Sequence, residues 1–333
     1  MKVSVVGLGY WGPVLVRNLV AIDACTGVVV CDRDEARVAH VTRQYPNAVG
    51  TTDYAEVLAD DDVRAVVIAT PVATHAQLAT DALNAGKAAL VEKPLAASAA
   101  DARALVALAQ QRGALVMAGH TFLYSPPVLA VRDMLERGEL GDPLYIQSSR
   151  VNLGIHQSDV SVLWDLAPHD LSIVTAWLGE LPIRVSATGR SSMEGAPVDV
   201  AFVNLDFPSG VVANLHLSWL APTKVRRTTL VCSSKMVVYE DSHPDEPVKI
   251  YNKGVSKTSP EDYGEYRMTY RTGDVIAPFV ETWEPLRAEL EDFVGRVERG
   301  ETPDEREATA VAIVAAIEAA QRSVEQRGVP VDL

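Results

Sequence analysis

Glu92-Lys93-Pro94 puts a lysine directly after an apolar run, Ala88-Ala89-Leu90-Val91, that reads as a buried strand. An ammonium at the end of such a strand can hydrogen-bond a substrate oxygen and stabilise negative charge developing on it. Pro94 tolerates a cis bond that fixes a tight turn, and Glu92 either orients the lysine or supports the turn. A second set of reactive side chains lies in Trp164-Asp165-Leu166-Ala167-Pro168-His169-Asp170-Leu171. Asp165 and His169 are four apart and would share one face of a helix. Imidazole, with an unperturbed pKa of about 6.5, exchanges protons with a hydroxyl at neutral pH. A lone lysine is usually solvated and a lone histidine usually structural. The buried strand before Lys93 favours chemistry for the lysine, and the tryptophan and two carboxylates around His169 favour it for the histidine.

Gly7-Leu8-Gly9-Tyr10-Trp11-Gly12 follows an apolar strand and opens a helix, matching G-x-G-x-x-G. The first glycine permits a tight turn, the second lets the backbone approach a pyrophosphate, and the third permits close helix–strand packing. The helix N-terminus adds N–H groups and a partial positive charge for the anion. Asp32 follows 20 residues after Gly12, at the end of the next apolar run, where a carboxylate accepts hydrogen bonds from ribose hydroxyls and repels a 2′-phosphate. NAD is therefore preferred to NADP, with Arg33 beside Asp32 as the residue that could tolerate a phosphate. Thr70-Pro71 ends a third strand and Thr74-His75 opens the next helix, so Thr74 and His75 either cap that helix or touch the cofactor. His156, Asp165 and His169 are the only grouping that could ligate a metal; hydride transfer requires none, and no metal is expected. No G-x-S-x-G is present for serine-hydrolase chemistry. Lys224-Val225-Arg226-Arg227 reads as a solvated strand end rather than a phosphate grip.

These side chains need a scaffold that alternates short strands with helices. The strands Lys2–Val6, Val28–Cys31, Ala65–Ala69, Ala88–Val91 and Ala114–Met117 alternate with helices near Trp11–Ile22, Glu35–Tyr45, Thr74–Ala85 and Ala99–Arg112, which predicts a parallel sheet covered on both faces. Ser98, three before Asp101, reads as an N-cap. Beyond His120 come helices at about Pro127–Arg137 and Ala167–Leu178, the second starting near Pro168 with Asp165 just ahead of it. Strands follow in succession at Arg184–Thr188, Asp199–Phe207, Val211–Leu220, Val225–Cys232 and Met236–Tyr239, with a hairpin turn at Pro208-Ser209-Gly210, and imply an antiparallel sheet. Asn252–Gly273 reads as a long polar loop, and helices at Trp283–Arg299 and Glu305–Arg327 close the chain. The expected fold is α/β: a Rossmann domain over residues 1–121 and a second α/β domain over 122–333 with a large, mostly antiparallel open sheet. One sheet face, carrying Val200, Phe202, Leu215 or Leu217 in one phase or the other, would be covered by a second copy in a homodimer or homotetramer.

At 333 residues the chain is long enough for two domains. A net charge of −14 opposes binding to nucleic acid or an anionic membrane. No apolar stretch is long enough to span a bilayer, and the N-terminus starts in a strand without a signal-peptide pattern, so a cytoplasmic location is expected. Cys25, Cys31 and Cys232 have neither metal-ligand spacing nor an even count, and read as packing residues.

Taken in order, Gly7–Gly12, Thr70-Pro71 with Thr74-His75, Ala85-Gly86-Lys87, Glu92-Lys93-Pro94, Gly119-His120 and Asp165…His169 resemble the glucose–fructose oxidoreductase / inositol dehydrogenase (Gfo/Idh/MocA) family over nearly the whole chain. Val14 departs from relatives that often carry asparagine there. The resemblance implies NAD-linked oxidation or reduction of a secondary alcohol in a sugar, cyclitol or derivative. It assigns Lys93 as the active-site lysine, His169 as proton acceptor and Asp165 as its partner, with Lys93 carried by the cofactor domain and His169 by the substrate domain. Gly7, Gly9, Tyr10, Trp11, Gly12, Asp32, Arg33, Thr70, Pro71, Thr74, His75, Glu92, Lys93 and His120 would hold NAD. Phe122 and Tyr124 would join Lys93, Asp165 and His169 around the substrate. The Trp164–Leu171 version is similar to members from amino-sugar and polysaccharide biosynthesis that oxidise C3 of a hexose, and the composition, rich in Ala, Val and Arg, fits a high-GC bacterium and an aminoglycoside pathway. A cyclitol dehydrogenase, a ketoreductase and a non-catalytic sensor are the alternative readings.

Overall fold

The computed structural model describes residues 1–154, 160–257 and 268–333. The chain forms two compact units: Met1–Tyr124 with Glu284–Ala315, and Ser125–Trp283 with Ala316–Leu333.

In the first unit, β1 (Lys2–Val6), α1 (Gly12–Leu19), β2 (Gly27–Cys31), α2 (Glu35–Gln44), β3 (Ala48–Thr51), α3 (Tyr54–Ala59), β4 (Val63–Ile68), α4 (His75–Asn84), β5 (Ala88–Glu92), α5 (Ala99–Arg112) and β6 (Val116–Gly119) succeed one another. The six strands are parallel in the order β3-β2-β1-β4-β5-β6. Val3, Val5, Val30, Ala65, Val67 and Leu90 are buried, as strands covered on both faces require. Ser98 caps α5, its Oγ accepting from the Asp101 N–H at 3.0 Å. The pair β3 and α3 was not expected: β3 is a short edge strand with Gly50 in it and Val49 facing solvent, so it lacks the apolar run that marks its neighbours. Lys87 is buried, and its ammonium donates to the Asp60 and Val63 carbonyls at 2.8 Å each.

The second unit contains α6 (Pro126–Glu136), β7 (Pro143–Leu153), α7 (Val162–Leu178), β8 (Arg184–Arg190), β9 (Val200–Asp206), β10 (Val212–Ser218), β11 (Leu220–Cys232), β12 (Met236–Glu240), β13 (Val248–Tyr251), β14 (Gly254–Lys257), β15 (Met268–Arg271) and β16 (Val275–Ile276). After α8 (Pro285–Glu298) and α9 (Glu305–Glu325), β17 (Val331–Asp332) returns to this unit. Nine strands form one sheet in the order β16-β13-β12-β11-β7-β10-β9-β8-β17, with β7 and β10 parallel and the other pairs antiparallel. The predicted turn is present: Gly210, at φ 85°, donates its N–H to the Phe207 carbonyl.

Four sequence expectations change here. Strand β7, at the middle of the sheet, was not predicted, because Gln147, Ser148, Ser149, Arg150 and Asn152 interrupt its apolar pattern. Asn252–Gly273 is not one loop, since β14 pairs with β15; residues 258–267 lie outside the described residues. Leu215 and Leu217 are fully buried, and the opposite phase, with Phe202 and Val212 exposed, forms the open face. Helix α7 starts at Val162, after Ser161, not near Pro168, so Asp165 lies in its first turn and Pro168 in its interior. An interior proline removes the N–H that would reach the Trp164 carbonyl and costs about 3 kcal/mol. Burial of Val162, Leu163, Leu171, Ile173 and Val174, each of which contributes about 1.5–3 kcal/mol, outweighs it.

The apolar stripe of α8, Leu286, Leu290, Phe293 and Val297, packs into the first unit's core with Val3, Leu15, Leu115 and Met117. The helix expected at Trp283–Arg299 is present as α8, but its sequence did not say which core receives it. Arg226, in the strand end read as solvated, is partly exposed and pairs with Asp241 at 2.9 Å. Cys31 and Cys232 are buried, Cys25 is half-buried, and all three are free thiols. Among the described residues, no helix is long and apolar enough to cross a membrane.

Candidate active site

The first unit gathers its reactive side chains at the carboxyl ends of its strands, where parallel sheets bind ligands. The loop after β1 depends on its glycines. Gly7 has φ 94°, and a Cβ there would lie 2.6 Å from the Ala69 carbonyl oxygen. A Cβ on Gly12 would lie 2.2 Å from the Gly7 oxygen. At Gly9 the only atom within 4 Å would be Arg37 Nη1, at 3.9 Å, so the backbone there is open to an approaching group. Tyr10 is almost fully exposed and stacks on Trp11 with centroids 6.5 Å apart.

Asp32, at the end of β2, is tied to this loop. Its Oδ2 accepts from the Leu8 N–H at 2.7 Å and its Oδ1 from the Asp34 N–H at 2.9 Å. Arg33 is exposed. Arg37, which sequence reasoning missed, brings Nη1 to 3.6 Å from Asp32 Oδ2 and also neighbours Gly9. Its signal was position: it stands in the first turn of α2, just after Asp32.

The ends of β4, β5 and β6 form the other half. Thr74 precedes α4 but makes no side-chain cap; its hydroxyl bonds Thr70 Oγ1 and the Pro71 carbonyl, both at 2.7 Å. His75 is buried, with Nδ1 2.9 Å from the Pro94 carbonyl and Nε2 2.8 Å from that of Thr70. It therefore laces the end of β4 to the Lys93-Pro94 turn, and burial lowers its pKa. The Lys93-Pro94 peptide is cis. Glu92 Oε1 accepts from the Trp11 indole N–H at 2.6 Å, and its Oε2 from the Lys93 N–H at 3.3 Å. Glu92 thus joins the turn to the glycine loop, and burial raises its pKa.

His120 follows β6. It is 6% exposed, and neither ring nitrogen has a hydrogen-bond partner among the described residues. Burial, and then the Lys93 charge, lower its pKa to about 4, so the ring is neutral at physiological pH. A buried imidazole near Lys93 with no partner among the described residues, and a glycine loop with room at Gly9, fit a dinucleotide whose polar groups reach this edge. Phe122 is half-buried, while the Tyr124 hydroxyl donates to Asp292 of α8 at 2.7 Å. Also on α8, Glu289 is fully buried: Oε2 accepts from Thr121 at 2.8 Å, Oε1 has no partner among the described residues, and burial followed by the Glu92 charge raises its pKa well above the usual range. Sequence reading missed Glu289, because a glutamate in an amphipathic helix is normally solvated.

In the second unit, Asp165 and His169 lie one turn apart on α7 and are half-buried. Asp165 Oδ2 accepts from the indole N–H of buried Trp219 at 3.1 Å. Asp170 points elsewhere: it is buried, and its oxygens accept from Ser148 Oγ at 2.8 Å and Arg150 Nε at 2.9 Å. Among the described residues no cluster of His, Cys, Asp or Glu could hold a metal ion, and His156 lies outside them.

Residues 1–120 match the model of an oxidoreductase family with an NAD-binding Rossmann fold, and residues 128–238 match the GFO/IDH/MocA C-terminal domain. The chain is 30% identical over 228 residues to 4-carboxy-2-hydroxymuconate-6-semialdehyde dehydrogenase of a Sphingobium species, covering 66% of this chain and 72% of the relative. It is 31% identical over 229 residues to UDP-N-acetylglucosamine 3-dehydrogenase of Acidithiobacillus ferrooxidans, covering 68% and 70%. Among solved structures, GenD2 from gentamicin A biosynthesis in complex with NAD superposes with a TM-score of 0.83 at 28% identity, covering 100% of this chain and 96% of that one. Both domain matches, over the unit that carries the glycine loop and the one that carries α7, place this chain in the GFO/IDH/MocA family of NAD-dependent oxidoreductases.

Proposed function

We propose that this protein oxidises a secondary hydroxyl, at C3, of a sugar, amino sugar, sugar nucleotide or aminoglycoside to a ketone. The observation that carries this reading is the convergence of the glycine loop, Asp32, Thr70, Lys93 and unpartnered His120 on one edge of the parallel sheet. The sugar class is supported by the likeness to a UDP-N-acetylglucosamine 3-dehydrogenase and to GenD2.

Bound NAD supplies the hydride acceptor. Gly7, Gly9, Tyr10, Trp11, Gly12, Asp32 and Arg33 would hold its adenosine and pyrophosphate side; Thr70, Pro71, Thr74, Glu92, Lys93 and His120 would hold its nicotinamide side. His75 contributes by tying the Thr70 and Pro94 backbones together. His169 takes the hydroxyl proton on its imidazole. The Lys93 ammonium donates a hydrogen bond to the substrate oxygen as that oxygen gains charge and becomes a carbonyl. Asp165, held by Trp219, orients the hydroxyl or the imidazole. Phe122 lines the substrate. The open face of the nine-stranded sheet pairs with a second copy of the chain, and the protein works in the cytoplasm.

NADH formation screened over UDP-N-acetylglucosamine, aminoglycosides and inositols tests this reading, with product NMR to locate the ketone. His169→Ala is expected to lower turnover by about 10²–10⁴-fold while NAD binding, followed by fluorescence, persists. Undiminished turnover would remove His169 from the mechanism. Turnover of inositols alone would make the enzyme a cyclitol dehydrogenase.

A further inference from the structure

His169 stands in the one turn of α7 that the helix itself cannot fully hold. Pro168, directly before it, has no N–H, so the Trp164 carbonyl lacks its usual donor four residues on, at the turn that carries Asp165 and His169. A turn weakened in this way keeps its geometry only if tertiary contacts hold it. Two polar clamps flank the proline. On one side, Trp219, 2% exposed, holds Asp165 Oδ2 at 3.1 Å. On the other, Asp170, 1% exposed, takes Arg150 Nε at 2.9 Å and Ser148 Oγ at 2.8 Å. Ser148 in turn meets Thr228 Oγ1 of β11 at 2.9 Å. The second clamp thus reaches from α7 into β7 and on to β11, near the centre of the sheet.

A buried ion pair is an expensive way to attach a helix that already buries eleven of its seventeen residues. Apolar contacts, however, are non-directional and allow a helix to rotate or slide slightly. The hydrogen bonds from Arg150 Nε and Ser148 Oγ to the two Asp170 oxygens are directional. Asp170 is adjacent to His169, and side chains one residue apart on a helix differ in direction by about 100°. Fixing Asp170 against the sheet therefore fixes the bearing of His169.

From this we infer that Asp170, with Arg150 and Ser148, is a positioning device that sets the direction of His169 for proton abstraction. The inference rests on the assignment of His169 as base. Asp170→Asn keeps the size of the side chain and its ability to accept, but removes the charge that engages Arg150. With the panel sugar that turns over, Asp170→Asn is expected to lower kcat by up to about 100-fold, the scale of loss that a misplacement of about 1 Å produces. The KM for the sugar and the affinity for NAD should change little. In a His169→Ala background the same substitution should cost almost nothing, since there is then no imidazole to aim.

If Asp170→Asn costs its full factor in both backgrounds, or nothing in the wild-type background, the positioning inference falls. Should His169→Ala itself turn over normally, the base assignment fails, and the inference fails with it. A readout independent of activity is the His169 ring signal in a carbon-13 spectrum, identified by its loss in His169→Ala. It should move in Asp170→Asn while the other histidine signals stay in place, whereas a general shift of all of them would indicate loose packing and overturn the inference. Ser148→Ala, which keeps the ion pair, replaces Asp170→Asn in the same measurements if the latter does not fold.

Discussion

At the scale of the residue, the three glycines after β1 do different work. A Cβ at Gly12 would strike the Gly7 carbonyl oxygen at 2.2 Å, backbone that cannot swing away. A Cβ at Gly9 meets nothing closer than a flexible arginine tip at 3.9 Å. Gly12→Ala is therefore expected to lower both the melting temperature and NAD affinity. Gly9→Ala should leave the melting temperature unchanged and weaken NAD alone, because its methyl occupies the space the pyrophosphate needs. Calorimetry with and without NAD separates the two, and equal melting losses would show that Gly9 serves packing instead. Both glycines were legible from spacing. The roles of His75 and Glu92 were not, because each acts through a partner distant in sequence: Pro94 for one, besides nearby Thr70, and Trp11 for the other.

At the scale of the element, α8 brings Glu289 into the core of the first unit beneath Thr121. A carboxyl whose folded pKa is raised is most favourable to the fold at low pH, where both folded and unfolded chains carry the proton. As pH rises through the unfolded value of about 4.3, the unfolded chain ionises first and that stability is lost. Glu289→Gln is expected to raise the melting temperature at pH 7 and to leave it nearly unchanged at pH 4. An equal effect at both values would mean that the folded pKa of Glu289 is not raised, its carboxylate being ionised and paired in the fold. Helix α7 shows the opposite conflict between local rule and outcome: Pro168 argued for a late start, and burial of the Val162–Leu163 turn overrode it.

At the scale of the whole molecule, the nine-stranded sheet buries Ala201, Val203 and Leu205 on one face. The other face carries Phe202 stacked on His216 at 4.6 Å, with exposed Tyr145 and Val212 nearby in the register. Exposed aromatic and aliphatic side chains on a broad sheet favour association. If the proposed pairing of copies uses this face, Phe202→Asp should shift the protein toward monomer in light scattering at micromolar concentration with its melting behaviour largely retained. A wild-type protein that is already monomeric under those conditions overturns the pairing.

The sequence by itself determined the alternating parallel half, the glycine loop with Asp32, the Lys93-Pro94 turn and the one-turn spacing of Asp165 and His169. Each is a local pattern, fixed by helical and strand periods and by the conformational limits of glycine and proline. Tertiary structure alone decided that β7 runs through the middle of the second sheet, that the α8 stripe fills the first unit's core, and that Asp170 is paired inside the protein while its neighbour His169 remains half-exposed. For β7 and for Asp170 the physical reason is the same. A polar or charged side chain is stable inside a protein only when a partner from elsewhere in the chain meets it, and the sequence pattern does not say which distant partner will arrive.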